Sequence, residues 1–188
     1  ETSSSNSTSG GDKKTCSLDW IIKNSTSHYF YNNDKNEYEI LKIRYRDKNT
    51  GEDVKGCYYH YAGCDRWIKN LNGKRPQLYK LPELLQAIKT GEEYIFDVEG
   101  EKDVDTLSKQ GLTAVTSGSA KSWQDKFKEY YRGAKKVIIL PDNDQPGKEY
   151  AVQKAKSLHG IAEEVKIVEL PGLKEREDVT DWINSGHT

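Results

Sequence analysis

Hydrophobic and polar positions change their rhythm near Gly91. Beyond it, short apolar runs at 93–98, 112–116, 136–140 and 165–169 are separated by amphipathic stretches at about 101–110, 122–131 and 146–159. The short runs suit buried strands and the longer stretches suit helices. Strand and helix in strict alternation imply an α/β fold with a mainly parallel sheet and helices on both faces, since a parallel crossover needs a connection long enough to hold a helix. Pro146 fits a first helical turn, and Gly111 and Gly160 lie where helices should stop.

Before Gly91 the period is shorter. Residues 38–45 and 57–61 are alternating, aromatic-rich and basic, and the turn-forming stretch 47–51 lies between them. They predict an antiparallel hairpin. Residues 81–88 read as a short helix with Pro82 in its first turn and an end near Gly91. Residues 1–15 are mostly Ser, Thr, Gly and Asn, too polar to offset their ordering entropy by burial. The expected organisation is a disordered linker over 1–16, a small basic β-rich subdomain over 17–90, and the α/β domain over 91–188. No internal repeat is visible.

Composition narrows this little. With 188 residues, 34% apolar and 31% charged, the chain can bury one core or two small ones. No run approaches the roughly 18 apolar residues of a membrane span and no secretory leader is visible, so a soluble, cytoplasmic protein without membrane partners is expected. The sequence contains no Met, even at position 1, which suggests a piece of a longer protein. Charge is more informative. Residues 1–90 carry 15 Lys plus Arg against 11 Asp plus Glu, and residues 91–188 carry 14 against 19. Within 40–80 the count is 10 against 4, the best electrostatic footprint for a polyanion, with a solvated basic surface as the alternative.

The acidic half places carboxylates where apolar runs end. Glu99, Glu101 and Asp103 follow the run at 93–98, while Asp142 and Asp144 follow the run at 136–140. Parallel sheets collect their chemistry at the carboxyl ends of strands, so these acids can converge on one crevice. Converging carboxylates repel one another unless a cation sits between them, and hard oxygen donors suit magnesium. In extended backbone, Asp142 and Asp144 face one side while Asn143 turns away. Either could instead be a turn or helix cap.

The order Glu99-Gly100-x-x-Asp103, then Asp142-x-Asp144-x-x-Gly147, resembles the Toprim domain of bacterial-type primases, topoisomerases and certain nucleases. The longer strings Glu99-Gly100-Glu101-Lys102-Asp103-Val104-Asp105 and Leu140-Pro141-Asp142-Asn143-Asp144-Gln145-Pro146-Gly147 are most similar to primases of phages, plasmids and integrated elements. Asp178-Val179-Thr180-Asp181-Trp182 is similar to a third acidic block of that group, although its acids stand further apart than in classical bacterial primases. The resemblance covers roughly residues 75–185.

It implies a catalytic set of Glu99, Asp142 and Asp144. Glu99 would be the general base or acid, and Mg2+ or Mn2+ would be held by Glu99, Asp103, Asp142, Asp144 and Asp178. Lys102 and Lys148 could contact nucleotide phosphate, or could simply be exposed; Lys121 has the same two readings. Arg44, Arg46, Lys69, Lys74 and Arg75 are the expected phosphate contacts of a single-stranded DNA template. Tyr45, Tyr58, Tyr59 and Trp67 could stack bases or fill the core of a small sheet.

The function implied is a DNA primase-type nucleotidyltransferase that uses nucleoside triphosphates and works with a replicative helicase in cis or trans. A Toprim metal-dependent nuclease would share the same acids, and a non-catalytic single-stranded nucleic-acid-binding module is a third reading. Cys57-x-x-His60-x-x-x-Cys64 has a zinc-like spacing, but only three ligands lie together and Cys16 comes from the polar leading segment, so zinc is not expected.

Overall fold

The computed structural model describes residues 22–23, 25–46, 50–51, 58–62, 67–68 and 76–187. An antiparallel sheet comes first: β1 (Ser27–Asn32), β2 (Tyr38–Arg44), β3 (Tyr58–Tyr61) and β4 (Trp67–Ile68), in that spatial order. The expected hairpin is therefore the pair β2 and β3, and β1 is a further strand ahead of it. Asn36 closes the β1–β2 turn in the left-handed region at φ 61°, which Asn tolerates because its short amide can bond locally. The Asn33 side-chain oxygen accepts from the Lys35 and Glu37 backbone N–H groups and completes that turn.

Helix α1 (Leu81–Thr90) leads into the second sheet. Its apolar spacing buries Leu81, Leu84 and Ala87 on one side, and Gly91 stops it at φ 74° with its N–H turned back to the Ala87 and Ile88 carbonyls. There follow β5 (Tyr94–Val98), α2 (Glu101–Lys109), β6 (Ala114–Val115), a 3-10 helix (Asp125–Tyr131), β7 (Lys136–Leu140), α3 (Gln145–Leu158), β8 (Glu164–Ile167) and α4 (Val179–Asn184). The four strands are all parallel, in the order β6-β5-β7-β8. Two expectations shift. The strand expected over 112–116 keeps only two residues, because Thr116 leaves the ladder to pair with Tyr79. The helix expected over 122–131 is a 3-10 helix that starts at Asp125, since Gln124 is extended; Phe127 and Tyr131 anchor it in the core.

Strands β5, β6 and β7 feed two cores, one on each face of the parallel sheet, while β8 contributes Val165 to the first alone. Ile95, Val137 and Ile139 face α1, the 3-10 helix and α3, whereas Val98, Ile138 and Leu140 face α2 and α4. Helices thus cover both faces, as the alternation predicted. Tyr29, Tyr31 and Ile40 of the antiparallel sheet enter the second core. The first core also holds an ion pair: Lys154 donates to Asp97, both with no exposed side-chain surface, and Tyr131 donates to Asp97 as well. The Lys154 ammonium lies 4.3 Å from the Tyr150 ring centroid and 5.1 Å from that of Trp123. Lys154→Met should strand the Asp97 charge and cost about 3–5 kcal/mol of unfolding free energy, measurable by urea titration. A loss under about 1 kcal/mol would show that Tyr131 alone satisfies the carboxyl.

Candidate active site at the carboxyl edge of the parallel sheet

Strand order decides where a site can form. From β5 the chain leaves through α2 towards β6, and from β7 it leaves through α3 towards β8, on the other flank and the other face. The two connections diverge and leave a crevice beyond the ends of β5 and β7, the topological switch point at which open α/β sheets bind ligands. Val98 pairs with Leu140 in the ladder, so Glu99 and Asp142 emerge at nearly the same level.

Glu99 is half-buried. Burial pushes its carboxyl above the ordinary value, against a backbone hydrogen bond from Ala120, and the charge of Asp144 pushes it further. Among the described residues its Oε2 is a buried oxygen with no hydrogen-bond partner. Asp142 is pushed up to about 8, first by burial and then by the charges of Glu99, Asp103, Asp178 and Asp144. Among the described residues, then, the crevice is short of positive charge.

Asp144 is both a member of the cluster and the N-cap of α3, as the capping alternative foresaw. Its Oδ1 accepts from the Gly147 N–H at 2.8 Å. Residues 142–144 are not extended as expected but form a tight turn in which the Asp144 N–H donates to the Asp142 carbonyl at 2.8 Å; the Asn143 side chain donates to the Leu173 carbonyl at 2.8 Å, and its backbone exchanges bonds with Arg176 and Glu177. Gly147 packs where a Cβ would stand 2.7 Å from the Asp142 carbonyl oxygen. Gly147→Ala should therefore deform the Asp142 turn. A loss of about 1–3 kcal/mol in stability is expected from overpacking, checked by thermal unfolding; an unaltered midpoint would show that the turn can yield.

The third acidic block lies beside the other two. Asp103 is buried and lifted to about 6 by burial, against a hydrogen bond from Thr180, with the charge of Asp178 lifting it further. Thr180 Oγ1 donates to Asp103 Oδ1 at 2.6 Å. Asp178 caps α4 in a reciprocal box with Asp181. Burial alone would raise Asp178, but Lys102, the Asp181 N–H and Asp103 hold it below the ordinary value. Both Asp178 oxygens are engaged, Oδ1 by the Asp181 N–H and Oδ2 by Lys102 Nζ at 2.5 Å. Two residues with separate expected roles, one for metal and one for nucleotide, thus bond each other. Lys148 is partly exposed and pairs with Glu169 at 3.4 Å.

Among the described residues, no group of three or more His, Cys, Asp or Glu side chains stands ready-made to hold a metal ion. The donor chemistry still fits a hard divalent cation: the Glu99 oxygen without a partner among the described residues, the repelled Asp142 carboxyl and the second oxygen of Asp144 are hard oxygen donors near one another. Arg44 and Arg46 are exposed at and beyond the end of β2. Lys69, Lys74, Arg75, Cys16, Cys57 and Cys64, and the side chains of Tyr58 and Trp67, lie outside the described residues. His60 stacks on Tyr38, whose hydroxyl lies 2.8 Å from His60 Nδ1, and Tyr59 packs against the second core. Lys42 counted towards the basic footprint, but it is buried and bonded to Glu101. Strand periodicity held the signal, because Lys42 shares a face with Ile40 and sits opposite Tyr29.

Residues 93–183 match the Toprim-like family model. Over 148 residues the chain is 32% identical to the Gene 57 protein of Mycobacterium phage D29, covering 79% of this chain and 82% of that protein. The chain belongs to the Toprim-like family. Its fold is also that of solved primases. The Aquifex aeolicus primase zinc-binding and RNA polymerase domains align with a TM-score of 0.59 at 22% identity, over 87% of this chain and 41% of that one. A DnaG primase catalytic domain bound to single-stranded DNA aligns with a TM-score of 0.50 at 23% identity, over 89% and 56%. This Toprim-like chain spans about half the length of the primase structures it matches. Among its described residues, no helix is long and apolar enough to cross a membrane.

Proposed function

We propose that this chain is the catalytic core of a DNA primase-type nucleotidyltransferase that builds short primers on single-stranded DNA. The observation that carries this reading is the cluster of mutually repelling carboxylates at the switch point, with Asp142 pushed up to about 8 and Glu99 Oε2 left without a partner among the described residues. The reaction is attack of a nucleotide 3′-hydroxyl on the α-phosphate of an incoming nucleoside triphosphate, with pyrophosphate leaving. Glu99, Asp142 and Asp144 would hold Mg2+ or Mn2+, with Asp103 and Asp178 beside them; the bound ions supply charge neutralisation for the transferring phosphate.

Glu99 would take the hydroxyl proton, a role supported by the burial that raises its carboxyl and by the unpartnered Oε2. Lys102 keeps about half of its side chain exposed while bonded to Asp178, so a triphosphate can compete for its ammonium. Arg44, Arg46, Lys69, Lys74 and Arg75 would hold the template backbone. The single-stranded DNA bound to one of the matched primase domains supports that partner.

The deciding experiment incubates the chain with single-stranded template, labelled nucleoside triphosphates and Mg2+ or Mn2+. Extended products support the proposal. Shortened template would mean a nuclease on the same acids, and binding with neither product would mean a non-catalytic module. The template surface has its own test: binding should weaken steeply with salt, and Lys74→Ala with Arg75→Ala should flatten the logarithmic slope by about 0.7 per lost phosphate contact. An unchanged slope would leave those two residues as solvated surface.

A further inference from the structure

A buried knot of three side chains joins the antiparallel sheet to the start of α2, and the reaction above gives it no part. Lys42 on β2 and Tyr31 on β1 share the inward face with Tyr29 and Ile40. Lys42 Nζ donates to Glu101 Oε1 at 2.5 Å, and the Tyr31 hydroxyl donates to the same oxygen. All three residues are buried. Well-packed apolar side chains of the same volume would hold the sheet to α2 at least as firmly, because burying an ion pair costs desolvation. What a charge-assisted bond adds is direction: it fixes one oxygen at one place.

The place matters here. Glu101 is the first residue of α2, and stands two residues from Glu99 and two from Asp103. Gly118, in the loop after β6, closes on the same knot: a Cβ there would lie 2.7 Å from the Tyr31 hydroxyl oxygen and 3.4 Å from Glu101 Oε1. The Gly118 N–H donates in turn to Thr116 Oγ1 at 2.9 Å, and that hydroxyl donates to the Glu99 backbone carbonyl at 2.7 Å. Packing and hydrogen bonds therefore run from the antiparallel sheet, through Glu101, Gly118 and Thr116, to the backbone of Glu99.

We propose that Lys42 is a positioning residue, which through Glu101 and the 116–121 loop keys the template-holding sheet to the reacting carboxylate. The catalytic consequence rests on the nucleotidyltransferase reading; the geometric one does not. Lys42→Met keeps the apolar stem and removes the ammonium. On the full chain it should lower kcat for primer extension on the order of tenfold to a hundredfold, with the Kd for single-stranded template within about twofold of wild type. Amide hydrogen exchange across 116–121 should speed up in the same variant.

Unchanged exchange and unchanged kcat would overturn the proposal. So would a loss of template affinity and salt slope that parallels the loss of kcat, which would make Lys42 a phosphate contact. If Lys42→Met does not fold, Tyr31→Phe leaves the ion pair in place and tests the same route, with the same signs and smaller effects. If the wild-type chain makes no product, the primase reading falls and the exchange comparison alone decides the inference.

Discussion

Glu99→Gln is expected to suppress primer extension by about a hundred- to ten-thousand-fold, the usual contribution of a general acid or base, with loss of a metal ligand adding to that. Template affinity should hardly change, because Glu99 lies at the carboxyl end of β5 while the exposed basic groups Arg44 and Arg46 lie at and beyond the end of β2. Affinity could even rise slightly, since the substitution removes a negative charge near bound phosphate. Gln keeps the shape of the side chain and can still accept from the Ala120 N–H. Extension and template Kd should be measured on the same preparations. Equal loss of both would remove Glu99 from the chemistry, and full activity in the variant would do so too.

Mg2+ or Mn2+ is expected to stabilise the chain, increasingly so as pH rises. Asp142 titrates near 8 in the folded chain, above its ordinary value of 3.8, with burial as the main cause and neighbouring carboxylates next. Asp103, near 6, shifts in the same direction, again first through burial. A raised folded-state value means that the folded chain holds its proton more tightly than the unfolded one. The stability this contributes is present at acid pH and is lost as pH climbs from about 4 through 8. Without metal, Tm should fall over that window.

A cation at the cluster reverses the loss. At a metal concentration of about a hundred times Kd, linkage gives roughly 2.7 kcal/mol, or about 5–10 °C in Tm for a chain of this size. Asp142→Asn with Asp144→Asn should abolish the gain and flatten the pH dependence. The fold should survive, because Asn caps a helix nearly as well as Asp and so keeps the start of α3. A double variant with the wild-type metal response would place the ion elsewhere.

Local patterns carried most of the fold and the outline of the site. The apolar runs that became β5, β7 and β8, the helix signals around Pro82 and Pro146, and the spacing of Asp142 and Asp144 are short-range properties, so each could be read from a few consecutive residues. The acids were legible because apolar runs end immediately before them. The two-residue length of β6 and the short 3-10 helix were not, because Thr116 found its partner in Tyr79, far away in sequence, and the aromatic anchors Phe127 and Tyr131 found theirs in the core.

Partnership is what the sequence by itself left open. A basic count over 40–80 gives every lysine equal weight, yet Lys42 is withdrawn from the surface by Glu101, and Lys102 is held by Asp178, 76 positions away. Asp97 and Lys154 look like ordinary charged positions and are the most deeply buried ion pair among the described residues. Burial and pairing depend on which elements pack together, and in a parallel sheet those elements are joined by long crossovers. The sequence thus determined which residue types stand at each strand end and helix start. Only the tertiary structure decided which charges face one another, which are neutralised, and that Glu99 and Asp142 stand, among the described residues, without a cationic partner at the switch point between β5 and β7.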